Sequence, residues 1–248
     1  MALDIDGTLE RIDEIHERRD FVARPLWKGL LEGTHSLPMV REMAKQLSII
    51  PLHNHNYHGR LYIICPDPAW RARIAEVVYE EGTGRLFSNG IAHNELYFRF
   101  GEGVGVGREE MLQTRYCSGV LAFKQYFIQT CSRKFVDGVA GHMLGAEAQG
   151  PGHYQQIADK LQEQFGLTDE QVAFWVIHDI ADEDHSNIGR ELHEQFATSK
   201  DDLARVVRVV DEMQQMMEML DQSIWECMQR AEDAEPFAAE SVSYTHLT

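Results

Sequence analysis

Apolar residues recur at three- and four-residue intervals along most of this chain, and segments that alternate residue by residue are scarce. That period belongs to amphipathic helices. With few β-branched alternating runs and no Asn-Gly turn between two of them, strands are not expected. The pattern predicts a helix over roughly Ile12 to Glu32, closed near Gly33. A second opens at Leu37-Pro38, where proline suits the first turn. Its apolar positions Met39, Met43, Leu47 and Ile50 continue past Pro51, expected to kink it, through Leu61-Tyr62 to a stop at Cys65-Pro66-Asp67-Pro68. Further helices are predicted from Ala69 to about Glu81, Glu95 to Phe100, Glu109 to about Lys134, Val136 to Ala148, His153 to Phe165, Asp169 to about Phe196 and Lys200 to Arg230. Thr168 to Gln171 and Ser199 to Asp202 have the residue types of helix caps. The expected fold is an all-α, single-domain bundle of about seven to nine helices. It would span residues 1–235, with 236–248 as a disordered tail.

Composition narrows the function. A net charge of −17 offers neither nucleic acid nor an anionic membrane a basic surface. No apolar run approaches the roughly 20 residues that cross a bilayer. Four well-separated cysteines without a CxxC pair, and an N-terminus without the charged-then-apolar pattern of a leader, fit reduced thiols in the cytoplasm. The expected partners are a small-molecule substrate and a second copy of the chain in a homodimer, with no nucleic acid and no membrane.

One segment carries the sharpest chemical signal. His178, Asp182 and His185 stand at i, i+4 and i+7 of a predicted helix, within roughly 60° of one another on its surface. Two imidazoles and a carboxylate form a ligand set suited to non-haem iron, manganese or zinc. The apolar run Ala173 to Ile177 sets this face beside a core rather than in water. A single helix cannot complete a metal shell, and bundle-core sites draw ligands from facing helices. Tyr79-Glu80-Glu81-Gly82-Thr83-Gly84, followed by Ala92-His93-Asn94-Glu95, offers a carboxylate at one helix end and an imidazole opening the next.

Together these segments resemble the haem-oxygenase-like diiron oxidase and oxygenase family, whose fold is shared with the pyrroloquinoline-quinone-synthase-like and TenA-like proteins. The resemblance spans roughly Leu26 to His193. Its landmarks are Cys65-Pro66-Asp67, Glu80 to Gly84, His93-x-Glu95-Leu96-Tyr97, Phe100-Gly101, Glu147-x-Gln149-x-Pro151 and His178-x3-Asp182-x2-His185. It implies iron ligation by Glu80, His93, His178, Asp182 and His185, with Glu81 a rival to Glu80. Diiron members carry a further glutamate on the second helix. Here that region reads Leu52-His53-Asn54-His55-Asn56-Tyr57-His58, so His53 or His55 would substitute, or the second iron would be labile. Glu147 would line the site or cap the Gly150-Pro151 break. Ala146-Glu147-Ala148 stands where TenA-type thiaminases carry a cysteine nucleophile, which disfavours that chemistry.

The implied function is Fe(II)-dependent dioxygen activation, with two irons per site, on a small, amino-acid-derived molecule in specialised metabolism. Asp179, Glu183 or Asp184 would orient the imidazoles, and Arg60, Arg115 or Arg133 would clamp a substrate carboxylate. The competing readings are a metal-independent, quinone-synthase-like oxidase and a non-enzymatic helical binding protein.

Overall fold

A computed structural model describes residues 4–150 and 152–241, with the side chains of residues 180–184 and 235–241 outside the description. Residues 242–248 of the expected tail therefore lie outside the described residues. Among those described, every regular element is helical, and thirteen helical segments replace the expected seven to nine. The class is as expected; the excess comes from places where a long predicted helix is broken.

The first break follows from proline. The stretch expected from Ile12 to Glu32 is two helices, α1 (Ile5–Arg18) and α2 (Pro25–Glu32). Arg24 is extended, as a residue before proline prefers, and Pro25 opens the new helix. Likewise Pro51 does not kink one helix but lies in a turn between α3 (Leu37–Leu47) and α4 (His55–Ile64). The segment from Glu109 to Lys134 divides into α7 (Arg108–Leu112) and α8 (Ser118–Arg133), where the Gln46 side chain accepts the Cys117 N–H at 3.0 Å. Between α4 and α7 lie α5 (Pro68–Thr83) and α6 (His93–Gly103). After α8 come α9 (Phe135–Val139) and a π-helical turn, Ala140–Ala146. The chain closes with α10 (Tyr154–Phe165), α11 (Asp169–Phe196) and α12 (Lys200–Ser241).

Two helices organise the bundle. α12 packs mainly on α3, the π turn, α8 and α1, and α11 packs on α6 and α10. A large core fills the space between them, rich in aromatic rings, and a smaller cluster around Ile12, Leu144 and Val206 joins α1 to the start of α12. Ion pairs tie α12 to its neighbours: Arg19 to Asp211 at 3.0 Å, Arg24 to Asp221 at 2.7 Å, and Arg205 to the buried Asp137 of α9. The four cysteines form no disulfide. No described helix is long and apolar enough to cross a membrane.

Candidate metal centre

The last turn of α5 carries Glu80 and Glu81, and Gly84 ends it at φ +62°. A Cβ at Gly84 would meet the carbonyl oxygen of Ile91 at 2.0 Å, so only glycine lets the following loop fold back against the helix. That return brings His93, the first residue of α6, beside the two glutamates. His93 Nδ1 lies 3.1 Å from Glu81 Oε2, off the line of a hydrogen bond. His178 of α11 uses Nδ1 to donate to the Phe174 carbonyl at 2.7 Å, which leaves Nε2 as its open nitrogen. The His93 and His178 rings are 4.9 Å apart. Glu81, His93 and His178 thus each bring a donor atom within 4.8 Å of the others.

A second group stands beside the first. His58 of α4, Glu147 just past the π turn and His185 of α11 also converge within 4.8 Å. Glu147 Oε1 is 3.5 Å from His58 Nε2, and its Oε2 is 3.3 Å from His185 Nδ1. His142, within the π turn, meets Glu147 Oε1 at 2.9 Å and lies 4.2 Å from the His58 ring. An α-helix turns residues five apart by about 140°, whereas a ladder of i to i+5 bonds stacks them. The π turn therefore lets His142 and Glu147 meet.

Both groups hold negative charge among imidazoles. Burial alone would raise the Glu81 carboxyl, but His93, His58 and His178 more than reverse this and hold it below the usual carboxylate range. Glu147 behaves alike: burial opposes, and His142 and His185 win. Burial and the charge of His93 push His178 down to about 4, and burial depresses His142. Burial would depress His93 too, but Glu81 and Glu80 carry it upward. The carboxylates and the depressed His178 are thus in the protonation states that metal ligands need, whereas His93 would release a proton to a bound ion.

The donor sets fit a divalent ion. Donors bonded at about 2.1 Å to one metal sit about 3 to 4 Å from one another, which matches the separations found. His58 is 3% exposed, yet among the described residues neither of its nitrogens makes a hydrogen bond, and Glu147 Oε2 makes none. Buried polar atoms are normally satisfied, and a bound ion would satisfy these.

Both groups border one cavity of about 110 Å³. Glu81, His178, His58 and Glu147 form one side. Most of the remainder is apolar: Trp27, Leu47, Phe123, Phe127, Trp175 and Leu220.

The structure redistributes the expected residues. His93, His178, His185, Glu81 and Glu147 are brought together. Glu80 is not: successive helical residues diverge by about 100°, and Glu80 faces the loop instead. Its Oε2 accepts from Leu86 N at 2.6 Å and Phe87 N at 3.4 Å, its Oε1 accepts from Ser88 Oγ, and Ser88 Oγ lies 3.0 Å from His93 Nε2. Glu80 thus stands behind His93, on the side away from Glu81. His53 meets Lys124 at 3.1 Å, and His55 is exposed beside Asn56, so neither joins a group. His58 takes the place expected of them because α4 starts only at His55, and Tyr57, His58 and Leu61 form its buried face. The side chain of Asp182 lies outside the described residues, as do those of Glu183 and Asp184. Asp179 orients no imidazole; it accepts three backbone N–H groups, from Gly152, Tyr154 and Gln155, at the start of α10. Arg60 and Arg133 are engaged by Ser132 and Asp137, and neither they nor Arg115 line the cavity.

Comparison with known proteins supplies the context. Residues 41–234 match the family described as iron-containing redox enzymes. The fold is similar to that of a domain of unknown function with a heme oxygenase-like fold from Shewanella denitrificans (TM-score 0.73, 15% identity, 92% of this chain and 95% of that one). A CADD-like protein of unknown function from Nostoc punctiforme is similar too (TM-score 0.72, 14% identity, 92% and 98%). So is a TenA homolog from Pseudomonas syringae (TM-score 0.72, 12% identity, 92% and 97%). At these identities the likeness establishes the haem-oxygenase-like fold. No curated protein sequence matches the chain.

Proposed function

The chain belongs to the iron-containing redox enzyme family, and we propose that it is a non-haem iron oxidoreductase that uses dioxygen on a small, amino-acid-derived molecule. Two iron positions are proposed, one held by Glu81, His93 and His178 and the other by His58, Glu147 and His185, with Asp182 of α11 as a further ligand. The observation that carries this reading is the pair of buried histidine–carboxylate groups hung from one helix beside one apolar cavity. Ferrous iron bound there would supply the electrons that dioxygen chemistry requires.

The chain's own groups set the conditions for that chemistry. The Phe174 carbonyl fixes the His178 tautomer, and Ser88 with Glu80 behind it steadies His93, as partners of metal-bound histidines commonly do. His142 holds Glu147 from the opposite side. Phe123, Phe127 and Trp175 exclude water and leave room for a C–H or N–H bond beside the metal. The His58 position is the weaker of the two: each holds one carboxylate and two imidazoles, but Ser88 and Glu80 fix the His93 ring from behind, whereas no described residue hydrogen-bonds the His58 ring.

Anaerobic reconstitution with Fe(II), followed by metal analysis, tests the proposal. The wild-type chain should take up two irons with unequal affinity, His58→Ala should retain one, and His178→Ala should lose the tighter one. A wild-type chain that takes up no iron, or variants that match it, would sink the reading.

A further inference from the structure

The lining of the cavity includes polar groups that the proposed iron positions do not use. Asp221 of α12 and Trp175 of α11 are two of them. Asp221 is buried, with Arg24 Nη1 donating to its Oδ2 at 2.7 Å and the Trp27 side chain giving a further hydrogen bond. An ionised carboxylate offers about four acceptor sites, so these two donors leave capacity unused. Trp175 is 1% exposed, and its indole N–H has no hydrogen-bond partner among the described residues. An acceptor with capacity to spare and a donor without a described partner, on two residues that line one mostly apolar cavity, describe the polarity of a ligand.

We infer that Asp221 and Trp175 anchor the substrate, and that the cavity selects a short molecule carrying a protonated amine for Asp221 and a hydrogen-bond acceptor for the Trp175 N–H. An ammonium head is favoured over a hydroxyl because charge-assisted hydrogen bonds are about twice as strong as neutral ones. A carboxylate head beside Asp221 would set two like charges together in a mostly apolar lining, which disfavours the charged form of either. Size sets a limit as well. At about 110 Å³ the cavity is smaller than the engineered cavity of about 150 Å³ that holds benzene, which limits the body to about four or five carbons. The fate of such a molecule rests on the proposed iron chemistry; its recognition does not.

Calorimetric titration of the full-length protein as purified, its metal content recorded, tests the inference with simple probes. n-Butylamine should bind about tenfold or more tightly than n-butanol, the margin one charge-assisted bond provides, and butanoate should bind weakest. Asp221→Asn should erase the preference for the amine. 3-Methoxypropylamine should bind more tightly than n-pentylamine, and Trp175→Phe, which keeps the ring but loses the N–H, should remove that difference. Arg24 loses its counter-ion in Asp221→Asn, so the wild-type series decides even where this variant fails to fold. Butanol or butanoate binding as tightly as butylamine overturns the inference, as does an Asp221→Asn protein that still prefers the amine. Amine selectivity without iron uptake would keep this inference and discard the iron reading, whereas iron uptake without amine selectivity would do the reverse.

Discussion

Exchanging each of the two neighbouring glutamates for glutamine separates the roles the structure gives them. Glu80 is 1% exposed and receives Leu86 N, Phe87 N and Ser88 Oγ, with His93 Nε2 3.5 Å from its Oε1. In Glu80→Gln the amide oxygen can still face the two backbone N–H groups while its NH2 turns to Ser88 Oγ. What is lost is charge assistance, worth about 1 kcal/mol in each of two strong bonds. A loss of about 2 kcal/mol in a chain of this size lowers the melting temperature by about 4 to 8 °C. The same change loosens His93 from behind, and losing such a partner costs about 10- to 100-fold in metal affinity. Stoichiometry should survive. Glu81→Gln should remove an anionic donor from the group itself, and the first iron position with it. Anaerobic iron titration of both variants, with thermal unfolding of the metal-free proteins, reads all three quantities. Full iron uptake by Glu81→Gln together with a lost site in Glu80→Gln would refute the placement of these side chains.

Two further outcomes follow from ion pairs remote from the cavity. Asp137→Ala leaves Arg205 and Arg133 without their shared carboxylate. It should cost about 3 kcal/mol by urea denaturation, the low end for a broken buried pair because both guanidiniums are partly solvated, while iron uptake stays at the wild-type level. Asp211 is set below its usual range: burial opposes this, but Arg19 and Arg18 prevail. Its contribution to stability is therefore present above the unfolded carboxyl pKa of about 3.9 and lost as pH falls through the lower folded value. The gap in urea midpoint between wild type and Asp211→Asn should be widest near neutrality and close towards pH 3; a gap that widens in acid would contradict the pairing.

How far the sequence reveals this molecule depends on which physical signal each part uses. Helix α11 is legible from end to end, because Thr168 and Gln171 form a capping box and the apolar positions on either side of the polar run 182–187 keep the helical period to Phe196. The breaks at Pro25 and Pro51 are written in the sequence, but apolar residues carry on across both and hide them. The site shows the same division. His178 and His185 announce themselves by spacing on one helix. The choice between Glu80 and Glu81 turns on how far α5 is rotated against α6, which no local pattern records. His58 was lost with its helix: a continuous segment from Leu37 to Cys65 has a different rotational phase from one that restarts at His55. His142 depends on a π turn, for which the α-helical period gives no warning.

Helix α11 also links the two groups mechanically, since it carries one histidine of each. His178 and His185 stand seven residues apart on it, about 10 Å along its axis, and each belongs to a different histidine–carboxylate group. The carboxylates opposite them ride on other parts: Glu81 on the end of α5, Glu147 past the π turn. A rod with two attachment points keeps their separation when it slides, whereas each attachment changes its distance to a separate jaw. A small axial displacement of α11 would therefore change both groups at once, and the spacing between His178 and His185 would hold like marks on a ruler.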